Sequence, residues 1–376
     1  MVKLLFLVND AGFFLSHRAP IALEARRHGY EVHVATAPGP FVDKIRDLGL
    51  VYHPVQLSRS GKNPLFEFYS ITNIFRLFRR LRPDIVHLVT IKPVLYGGVC
   101  ARLARIPFVV AAISGLGTVF IGADLKTNLI RRIITPLYRF SLNRPNTITI
   151  FQNPDDRLTI SRLAGLAANS TRLIEGSGVD LRTYRVTDEP KASIVVTMAA
   201  RLLRDKGVRE FIDAARLLRE KGVRATFWLV GDPDPGNPTS ITAEELAIWR
   251  EERIVTLWGH RSDIDQIFAQ SNIVVLPSYR EGSPKVLLEA AACGRPIVTT
   301  DVPGCRDAII PNKTGLLVPP RDPVSLANAI ESLILDENLR REFGLAGRAL
   351  AEQKFAIEHV VNQHLQIYDS LSGEVA

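Results

Sequence analysis

Continuous apolar runs alternate with amphipathic stretches along the 376-residue chain. Residues 4–8 and 31–36 are predicted strands, with Gly12 in the loop after the first strand and a helix over about 17–28. The same order recurs at 194–198 and 226–230, around a helix with apolar residues at helical spacing (Phe211, Ala214, Leu217 and Leu218). Uniformly apolar strands between amphipathic helices are typical of parallel sheets that are covered on both faces.

This repetition predicts an α/β chain with two doubly wound, Rossmann-like domains facing a cleft. The stretch near 182–192 is polar and unpatterned, which places a boundary there. We therefore expect an N-terminal domain over 1–185 and a C-terminal domain over 186–355. Residues 356–376 form a predicted helix, which either stays with the C-terminal domain or crosses back to the N-terminal domain.

The most informative stretch for chemistry is "REGSPKVLLEAAACG", in which seven residues separate Glu281 from Glu289. Ser283 followed by Pro284 predicts an N-cap and the first position of a helix. The amides at the start of that helix would be unpaired and would favour a phosphate; with Gly282 and Ser283, this site comprises Lys285, Val286 and Leu287. A carboxylate pair that cuts a glycosidic bond must flank that bond closely, whereas here an anion site lies between the two glutamates. The pattern favours a nucleotide sugar held at both ends, and the simpler alternative is two solvated surface glutamates.

A second candidate loop follows the first strand of the C-terminal half, in "ARLLRDKG". Arg201 and Lys206 would lie near the carboxyl end of a strand, where two cations can neutralise a diphosphate. The alternative for these residues is a solvated basic helix start. Two D-x-D patterns, at 232–234 and 263–265, lie in a proline-rich loop and at a helix start, so no metal site is predicted from them. The G-x-G-x-x-G dinucleotide fingerprint is incomplete and no P-loop motif occurs.

These stretches resemble the family 4 retaining glycosyltransferases, which have the GT-B fold. In the C-terminal half the resemblance rests on "ARLLRDKG", "PSYREGSPKVLLEAAACGRPIVTTDVPG" and "NKTGLLVPPRDPVSLANAI". In the N-terminal half it rests on "HRAPIALEARRHGYEVHVAT", "VHLVTIKPVLYG", "SGLGTVF", "FQNPDD" and "GSGVDL". It covers nearly the whole chain. One similar branch includes capsule enzymes and the N-acetylgalactosaminyltransferase that extends a polyprenyl-diphosphate-linked sugar.

The resemblance implies a role for each matching position. Glu289 would bind the ribose hydroxyls, Arg201 and Lys206 the diphosphate, and Glu281 the donor sugar. Gly12 would allow close approach of the N-terminal loop to the transferred sugar, and Arg261 would lie beside the base. The acceptor would contact Lys92, His17 and Arg18. Many relatives have a histidine in the loop after "VHLV", where this chain has Thr90, Ile91 and Lys92, and His87 itself has the setting of a core histidine.

Charge is distributed unevenly, with 25 Lys and Arg against 12 Asp and Glu in residues 1–185 and 22 against 27 in the rest. The basic half contains two amphipathic stretches, at 70–84 and 125–145, with Arg76, Arg79, Arg80, Arg82, Arg131, Arg132 and Arg139 off their apolar faces. Such stretches either pack on a sheet or attach to an anionic membrane surface. Nucleic acid is the competing polyanion, but none of its usual binding motifs is present.

Three unpaired cysteines, together with no recognisable signal peptide or membrane-spanning run, lead us to expect a cytoplasmic protein at the inner membrane face. The combined prediction is a retaining, metal-independent glycosyltransferase without a cofactor, because the UDP-sugar is its substrate. It would pass a hexose or N-acetylhexosamine to a glycan on a polyprenyl diphosphate. A nucleotide-sugar epimerase of similar architecture and a non-catalytic sugar-nucleotide-binding protein remain as alternatives.

Overall fold

The computed structural model describes residues 1–57, 63–116 and 125–373, and the side chains of all of these except 125–133. The chain forms two compact units. Unit 1 comprises Met1–Ser177 together with Glu358–Ala376, and unit 2 comprises Gly178–Ile357. Residues 117–120 of the "SGLGTVF" motif, and the side chains of Arg131 and Arg132, lie outside the described part.

Unit 1 is built on a seven-stranded sheet in which every described pairing is parallel. Its strand order is β3-β2-β1-β4-β5-β6-β7. The strands are β1 (Lys3–Val8), β2 (Glu31–Thr36), β3 (Val51–Pro54), β4 (Ile85–Val89), β5 (Phe108–Ile113), β6 (Thr147–Phe151) and β7 (Thr171–Leu173). The central strands are almost completely buried, which explains why their sequences are mostly apolar.

Helices connect these strands, as a parallel sheet requires. They are α1 (Ala11–His17), α2 (Ala19–Arg27), α3 (Val42–Asp47), α4 (Pro64–Leu81), α5 (Gly98–Leu103), α6 (Leu125–Leu142) and α7 (Pro154–Ala164), with a π-helical turn at Pro93–Gly97 and a 3₁₀ turn at Ala168–Ser170. The apolar face of α4 packs into the core of unit 1, through buried Ile74, Leu77 and Phe78. Its arginines at 76, 79, 80 and 82 are exposed.

The last helix, α14 (Ile357–Ser372), packs into unit 1 although it follows unit 2 in the sequence. Tyr368 is fully buried, hydrogen-bonded to Nδ1 of His87 at 2.5 Å, and meets the ring of Phe6 edge-on. Near the end of the helix, Tyr30 Oη donates to Asp369 at 2.7 Å. The N-terminal unit therefore contains residues from both ends of the described chain.

Unit 2 repeats the plan with a six-stranded parallel sheet in the order β10-β9-β8-β11-β12-β13. Its strands are β8 (Val195–Ala199), β9 (Thr226–Val230), β10 (Thr256–Gly259), β11 (Ile273–Leu276), β12 (Ile297–Thr300) and β13 (Gly315–Val318). Its helices are α8 (Val208–Glu220), α9 (Ala243–Glu251), α10 (Ile264–Ala269), α11 (Lys285–Ala292), α12 (Pro323–Leu335) and α13 (Glu337–Leu350), with 3₁₀ turns at Arg204–Lys206 and Arg306–Ala308 and a π-helical turn at Ala351–Phe355.

Both sheets have a point where the strand order reverses, between β1 and β4 in unit 1 and between β8 and β11 in unit 2. Doubly wound sheets bind ligands outside the carboxyl ends of the strands at such a point. In unit 2 the loops there are 200–207 and 277–284, which contain Arg201, Lys206 and Glu281. In unit 1 they begin at Asn9 and Thr90.

Two local expectations need correction. Gly12 lies in the first turn of α1 rather than in a loop, because Asp10 caps a helix that begins at Ala11. The chain enters unit 2 at Gly178 rather than near 186, because Val179 forms a β-bridge with Ala356 and so joins the following segment to unit 2.

Three cysteines, Cys100, Cys293 and Cys305, are free and buried. Among residues 1–57, 63–116 and 125–373, no helix combines the length and the apolar composition needed to cross a membrane.

A tight backbone approach at the carboxyl edge of the second sheet generates a stability prediction. Gly231 has a φ of +133°, and a Cβ there would lie 1.9 Å from the carbonyl oxygen of Ala200. Gly231→Ala is therefore expected to lower the free energy of unfolding by well over about 1 kcal/mol. Gly222→Ala is the matched control, since Gly222 also has a positive φ but has open space around it. Urea unfolding measures both variants, and equal losses would contradict the proposed clash.

Candidate functional site

The carboxyl edge of the unit 2 sheet contains an ion pair between Lys206 Nζ and Glu281 Oε1. Lys206 ends the 3₁₀ turn after β8, and Glu281 follows β11, so the pair joins the two loops at the reversal point. Both side chains are largely buried. The single Ser278 hydroxyl proton is shared in a three-centre hydrogen bond between Glu281 Oε1, at 2.8 Å, and the carbonyl oxygen of Asp205, at 3.0 Å. Oε2 of Glu281 accepts no hydrogen bond from the described residues.

Backbone contacts hold the two loops together beneath this pair. The carbonyl oxygen of Asp205 accepts hydrogen bonds from Ser278 Oγ at 3.0 Å and from the Tyr279 amide at 2.9 Å. Gly207 has a φ of +76°, and a Cβ there would lie 2.1 Å from the carbonyl oxygen of Pro277. A side chain at 207 would therefore separate the loops that carry Lys206 and Glu281.

A third loop, after β12, contacts Glu281 from its other side. The Glu281 amide donates to the carbonyl oxygen of Pro303 at 3.1 Å. Gly304, with a φ of +81°, lies so close that a Cβ would be 2.5 Å from the carbonyl oxygen of Glu281 and 2.7 Å from that of Gly282. The Glu281–Gly282 backbone is thus clamped between neighbouring loops.

Helix α11 begins one residue later than the Ser-Pro pattern predicts. Pro284 is the N-cap with an extended backbone, and Lys285 is the first helical residue, so Ser283 does not cap the helix. The Leu287 amide donates to the carbonyl oxygen of Pro284 at 2.9 Å and is therefore not free, contrary to expectation. The amides of Lys285 and Val286 have no acceptor in the described part of the chain. The helix start thus offers two N–H groups to an anion, reinforced by the helix dipole.

Glu289 lies in the second turn of α11 and is only 7% exposed, so it is not a surface residue. Tyr184 Oη donates to its Oε1 at 2.8 Å, and Lys285 Nζ lies 3.1 Å from the same oxygen. Oε2 accepts no hydrogen bond from the described residues. Burial raises the pKa of Glu289, while Lys285 and Tyr184 oppose this rise and Asp265 adds to it.

Two further cations predicted for this site, Arg201 and Arg261, already have carboxylate partners. Arg201 Nη1 lies 2.7 Å from Asp234 Oδ2, with Arg201 about half exposed. Arg261 binds Asp263 through two hydrogen bonds of 2.8 and 2.5 Å, and its guanidinium lies 5.1 Å from the ring centroid of Trp258. One aspartate of each D-x-D pattern is therefore held by an arginine. Within the described residues no three His, Cys, Asp or Glu side chains come together as a metal site requires.

The predicted acceptor residues of unit 1 have partners of their own. Lys92 Nζ lies 2.5 Å from Glu67 Oε1, and the two side chains are mostly buried. His17 stacks on the ring of Phe13, with centroids 4.1 Å apart, and Ser16 Oγ lies 2.7 Å from its Nδ1. A Cβ on Gly12 would lie 3.2 Å from both Asp10 Oδ1 and the ring of Phe41, so Gly12 makes room for these neighbours.

Arg18 is a buried cation, 2% exposed, that forms no ion pair with a described carboxylate. Its Nη1 donates to the carbonyl oxygen of His17 at 2.9 Å and its Nη2 to Ser114 Oγ at 3.3 Å, whereas its Nε has no partner. Burial lowers the pKa of Arg18 to about 10, opposed by the nearby Tyr368. Ser114 follows β5, so the guanidinium reaches the carboxyl edge of the sheet.

His87 is a core residue, as its apolar strand predicts. It is fully buried, its ring stacks on Phe6, and burial holds its pKa well below the usual range. Only one ring nitrogen is satisfied, because Nε2 has no partner.

Three residues that shape the site carry a weak signal in the sequence. Tyr184 lies in the polar segment that reads as a linker, where no pattern marks it. Ser278 ends "VVLPS", and Gly304 ends "DVPG". A glycine directly after a strand-to-loop turn is the one signal that could have pointed to close backbone approach.

Comparison with known proteins agrees with this architecture. Residues 3–153 match the family model "Glycosyl transferase 4-like", and residues 193–336 match "Glycosyl transferases group 1". The N,N'-diacetylbacillosaminyl-diphospho-undecaprenol alpha-1,3-N-acetylgalactosaminyltransferase of Campylobacter jejuni is 32% identical, over 98% of this chain and 99% of that protein. The UDP-Gal:alpha-D-GlcNAc-diphosphoundecaprenol alpha-1,3-galactosyltransferase of Escherichia coli is 24% identical, over 86% and 88%.

Solved structures share the fold at lower identity. Anabaena HepE in complex with UDP and glucose superposes with a TM-score of 0.77 at 21% identity, covering 98% of this chain and 100% of that one. Sucrose-phosphate synthase from Thermosynechococcus elongatus gives a TM-score of 0.80 at 20% identity, over the whole of both chains. Two parallel-sheet units, two matching family models and a full-length relative lead to one conclusion: this chain belongs to the family 4 glycosyltransferases of the GT-B fold.

Proposed function

We propose that this glycosyltransferase transfers a hexose or N-acetylhexosamine, with retention of anomeric configuration and without a metal ion, from a UDP-sugar to a polyprenyl-diphosphate-linked glycan. The acceptor class is suggested by the Campylobacter jejuni and Escherichia coli relatives, whose names specify diphospho-undecaprenol substrates. The donor class is suggested by the second of these names, which specifies UDP-Gal.

The observation that carries the proposal is the shared design of Glu281 and Glu289. Each carboxylate has one oxygen, Oε1, held by two protein donors, and a second oxygen that no described residue binds. Carboxylate oxygens accept hydrogen bonds from the hydroxyls of sugar and ribose. Between the two glutamates lie the amides of Lys285 and Val286, which suit a phosphate. The sequence of groups matches sugar, diphosphate and ribose in order.

The diphosphate would be held by Arg201 and Lys206. The ion pair that Arg201 would have to give up for this is weak. The Arg201–Asp234 pair is substantially solvent-exposed, and pairs of this kind contribute only ~0–1 kcal/mol, so a diphosphate can displace Asp234 at little cost. Lys206 stays beside Glu281, which keeps its ammonium group near the junction of sugar and phosphate. Arg261, next to Trp258, would contact the base.

Catalysis would be mainly electrostatic. As the bond from the anomeric carbon to the diphosphate oxygen breaks, negative charge develops on the diphosphate, where Lys206, Arg201 and the α11 amides stabilise it. The acceptor hydroxyl attacks the same face of the sugar, and its proton passes to the departing phosphate oxygen. The products are UDP and the extended glycan. Glu281 orients the sugar and Glu289 holds the ribose.

Unit 1 would bind the acceptor at its own carboxyl edge. Arg18 brings a buried positive charge to that edge and lacks a carboxylate partner among the described residues, so an anionic group there is favoured. His17, at the end of α1, and Lys92, directly before the π-helical turn that follows β4, would contact the acceptor more peripherally.

Attachment to an anionic membrane surface would bring the enzyme to such an acceptor. One face of α4 begins with Leu65, Phe68 and Tyr69, which are 80%, 68% and 51% exposed. The same face continues at helical spacing through exposed Arg76, Arg79 and Arg80. Apolar side chains at one end and arginines along the rest are typical of a helix that lies on an anionic bilayer.

The direct test is a donor panel with a polyprenyl-diphosphate glycan, with and without EDTA. Release of UDP that depends on the acceptor, with the anomeric configuration of the product determined by NMR, would support the transferase. Turnover of the donor without acceptor would indicate an epimerase, and binding without turnover a non-catalytic protein. Loss of activity in EDTA would refute metal independence.

Separate roles for the two glutamates give distinct kinetic expectations. Glu281→Ala should chiefly lower kcat, because Glu281 lies at the reacting sugar. Glu289→Ala should chiefly raise the KM for the donor, because ribose binding contributes equally to ground and transition states. Steady-state kinetics with the donor varied provide the measurement. Equal changes in both parameters for both variants would refute this division of roles.

Because Glu289 is buried, its negative charge should lower the stability of the fold while favouring donor binding. Its folded-state pKa is raised, so the unfolded chain loses this proton first and stability falls as pH rises through the window above the ordinary value of about 4.3. Glu289→Gln should therefore raise the melting temperature at neutral pH while weakening donor binding. The gain should shrink as the pH falls towards 4.3. A gain that is independent of pH would show that the charge of Glu289 is not its cause.

The membrane contribution of α4 is tested with vesicles. Leu65→Ser combined with Phe68→Ser should lower co-sedimentation with phosphatidylglycerol vesicles, because two exposed apolar side chains no longer enter the interface. Leu335→Ser is the matched control, since Leu335 is equally exposed but belongs to unit 2. Equal loss in both variants, or equal binding to neutral phosphatidylcholine vesicles, would contradict the proposed surface.

A further inference from the structure

A cavity of about 680 Å³ opens at the amino edge of the unit 2 sheet. Ile194, Asn272 and Pro296 line it, and they directly precede β8, β11 and β12. Lys206 and Glu281 of the proposed donor site follow β8 and β11, so the donor site lies at the opposite edge of the sheet. Small-molecule sites usually have volumes of about 300–1,000 Å³. The cavity is therefore large enough for a ligand of its own.

A buried arginine, Arg295, lines this cavity and is only 3% exposed. Its Nε and Nη2 donate to the carbonyl oxygens of Phe268 and Ala269, at 2.9 and 3.1 Å, near the end of α10. Nη1 donates to no described residue, and the guanidinium forms no ion pair with a described carboxylate. Burial lowers the pKa of Arg295, and nearby Cys293 and Glu189 oppose this change. Its charge is thus only partly balanced, which favours an anion in the cavity.

Arg340 is a second buried arginine of the same cavity, 5% exposed. Its Nε is paired with Oε1 of Glu189, and its Nη1 donates to the carbonyl oxygens of Leu333 and Ile334 at 2.7 and 2.9 Å. Nη2 donates to no described residue. Neither unused nitrogen is sealed inside the protein, so each arginine can donate into the cavity.

One short segment holds both guanidinium groups. Arg295 Nη2 donates to the carbonyl oxygen of Thr187 at 3.1 Å, and Glu189, two residues later, binds Arg340. Two residues of extended chain span at most ~7 Å. The unused nitrogens of the two arginines therefore lie within reach of one ligand.

Cations outnumber carboxylates around the cavity. Exposed Lys191 and Arg341 line it in addition to the two buried arginines. The carboxylates that line it are Asp188, Glu189 and Glu337, and Glu189 is already bound by Arg340. The unused nitrogens come singly from two arginines rather than as one planar fork. That arrangement suits a phosphate, with its three oxygens, better than a planar carboxylate.

Apolar side chains of the cavity indicate the rest of the ligand. Val186 and Leu345 line it and are 48% and 58% exposed. Covering exposed apolar surface with an apolar group is favourable. The cavity therefore offers a phosphate site and an apolar wall side by side.

We propose that this cavity binds a phosphate monoester with an apolar body, and that such a ligand is an effector of donor binding. The phosphate accepts hydrogen bonds from Nη1 of Arg295 and Nη2 of Arg340, and the apolar body packs on Val186 and Leu345. Binding in the cavity is independent of the proposed function, whereas the effector role rests on it.

The effector role follows from contacts that join the cavity to the donor site within unit 2. Tyr184, whose hydroxyl donates to Glu289, lies just before the segment that holds the two arginines. Arg348 of α13 donates to the carbonyl oxygen of Tyr184 at 2.9 Å, and the same helix contributes Arg340 and Leu345 to the cavity. A ligand that fixes α13 against this segment changes how firmly Tyr184 holds Glu289. Coupling between binding sites is reciprocal, so donor binding changes the affinity of the cavity by the same factor.

Isothermal titration calorimetry of the full chain with hexyl phosphate, inorganic phosphate and hexanol tests the ligand class. Hexyl phosphate should bind at least about tenfold more tightly than inorganic phosphate, a factor that burial of two CH₂ groups would supply. Hexanol should not bind detectably. Equal affinity for hexyl phosphate and inorganic phosphate would overturn the apolar contact, and equal affinity for hexanol and hexyl phosphate would overturn the anion site. No binding of hexyl phosphate would overturn the whole proposal.

Two substitutions at exposed positions locate the site without disturbing the buried arginines. Leu345→Trp puts a larger side chain at the cavity and should weaken binding of hexyl phosphate at least about tenfold, because the space beside Val186 is filled. Arg341→Gln removes one charge and should weaken it about fivefold. Leu335→Trp and Arg250→Gln are the matched controls, since both positions are exposed in unit 2 and neither lines this cavity. Wild-type affinity in both test variants, or equal weakening in variants and controls, would overturn the site.

Titrations of hexyl phosphate at increasing UDP concentrations test the effector role. The Kd should change at least about fivefold and then level off, as coupling between two sites requires. A Kd that keeps rising in proportion to UDP would show competition at one site and would overturn the second site. Tyr184→Phe should still bind hexyl phosphate, but with a Kd that UDP no longer changes. A Kd that UDP does not affect in wild type, or coupling that persists in Tyr184→Phe, would overturn the effector role.

Failure of the proposed function gives a different result. If wild type binds no UDP and transfers no sugar, the proposed function is wrong and the effector role falls with it. Binding of hexyl phosphate that Leu345→Trp weakens and Leu335→Trp does not would still support the cavity as a phosphate site.

Discussion

The carbonyl oxygen of Asp205 is the contact on which the unit 2 site depends. It accepts from both the side chain of Ser278 and the amide of Tyr279, and so ties the loop after β8 to the loop after β11. Lys206 follows Asp205 directly, and Glu281 lies two residues beyond Tyr279. These two hydrogen bonds therefore set the distance between the Lys206 ammonium group and the Glu281 carboxylate. Gly207 permits this contact, because no Cβ stands between the loops.

Charge at the proposed donor site is arranged so that binding of a nucleotide sugar would cost little. Arg201 is the most exposed of the proposed donor-binding cations, and its pair with Asp234 is weak for that reason. The more buried groups, Lys206 and Glu281, satisfy each other and are supported by Ser278. Glu289 is buried with a hydroxyl and an ammonium on one oxygen, which reduces the cost of its charge without occupying both oxygens. Binding energy can therefore come from the unoccupied oxygens rather than from breaking strong pairs.

Much of this organisation could be predicted from the sequence, because burial on both sides of a parallel sheet leaves a clear pattern. The predicted strands at 31–36 and 226–230 coincide with β2 and β9, and the spacing of Phe211, Ala214 and Leu218 matches the buried face of α8. Motifs also identified the fold family. The details that the sequence could not show depend on the backbone conformation of the helix caps, which adjacent residues determine. They are the start of α11 at Lys285, the helical position of Gly12 and the paired Leu287 amide.

Contacts between residues that are far apart in the sequence could not be predicted either. Tyr184 reaches Glu289 from a segment with no periodicity, and Arg201 meets Asp234 across two strand ends. Such pairings follow from where the strands end, and local sequence patterns do not encode that position to the nearest residue.

The packing of α14 against residues near the start of the chain has a consequence for how the protein is made. Tyr368 and Asp369 complete the surroundings of His87 and Tyr30, which belong to the first part of the chain to leave the ribosome. Unit 2 is continuous in sequence, and nearly all of it is synthesised before α14, the helix that completes unit 1. Unit 1 must wait with part of its core uncovered until α14 emerges. The order of synthesis is therefore the reverse of the order in which the two units can be completed.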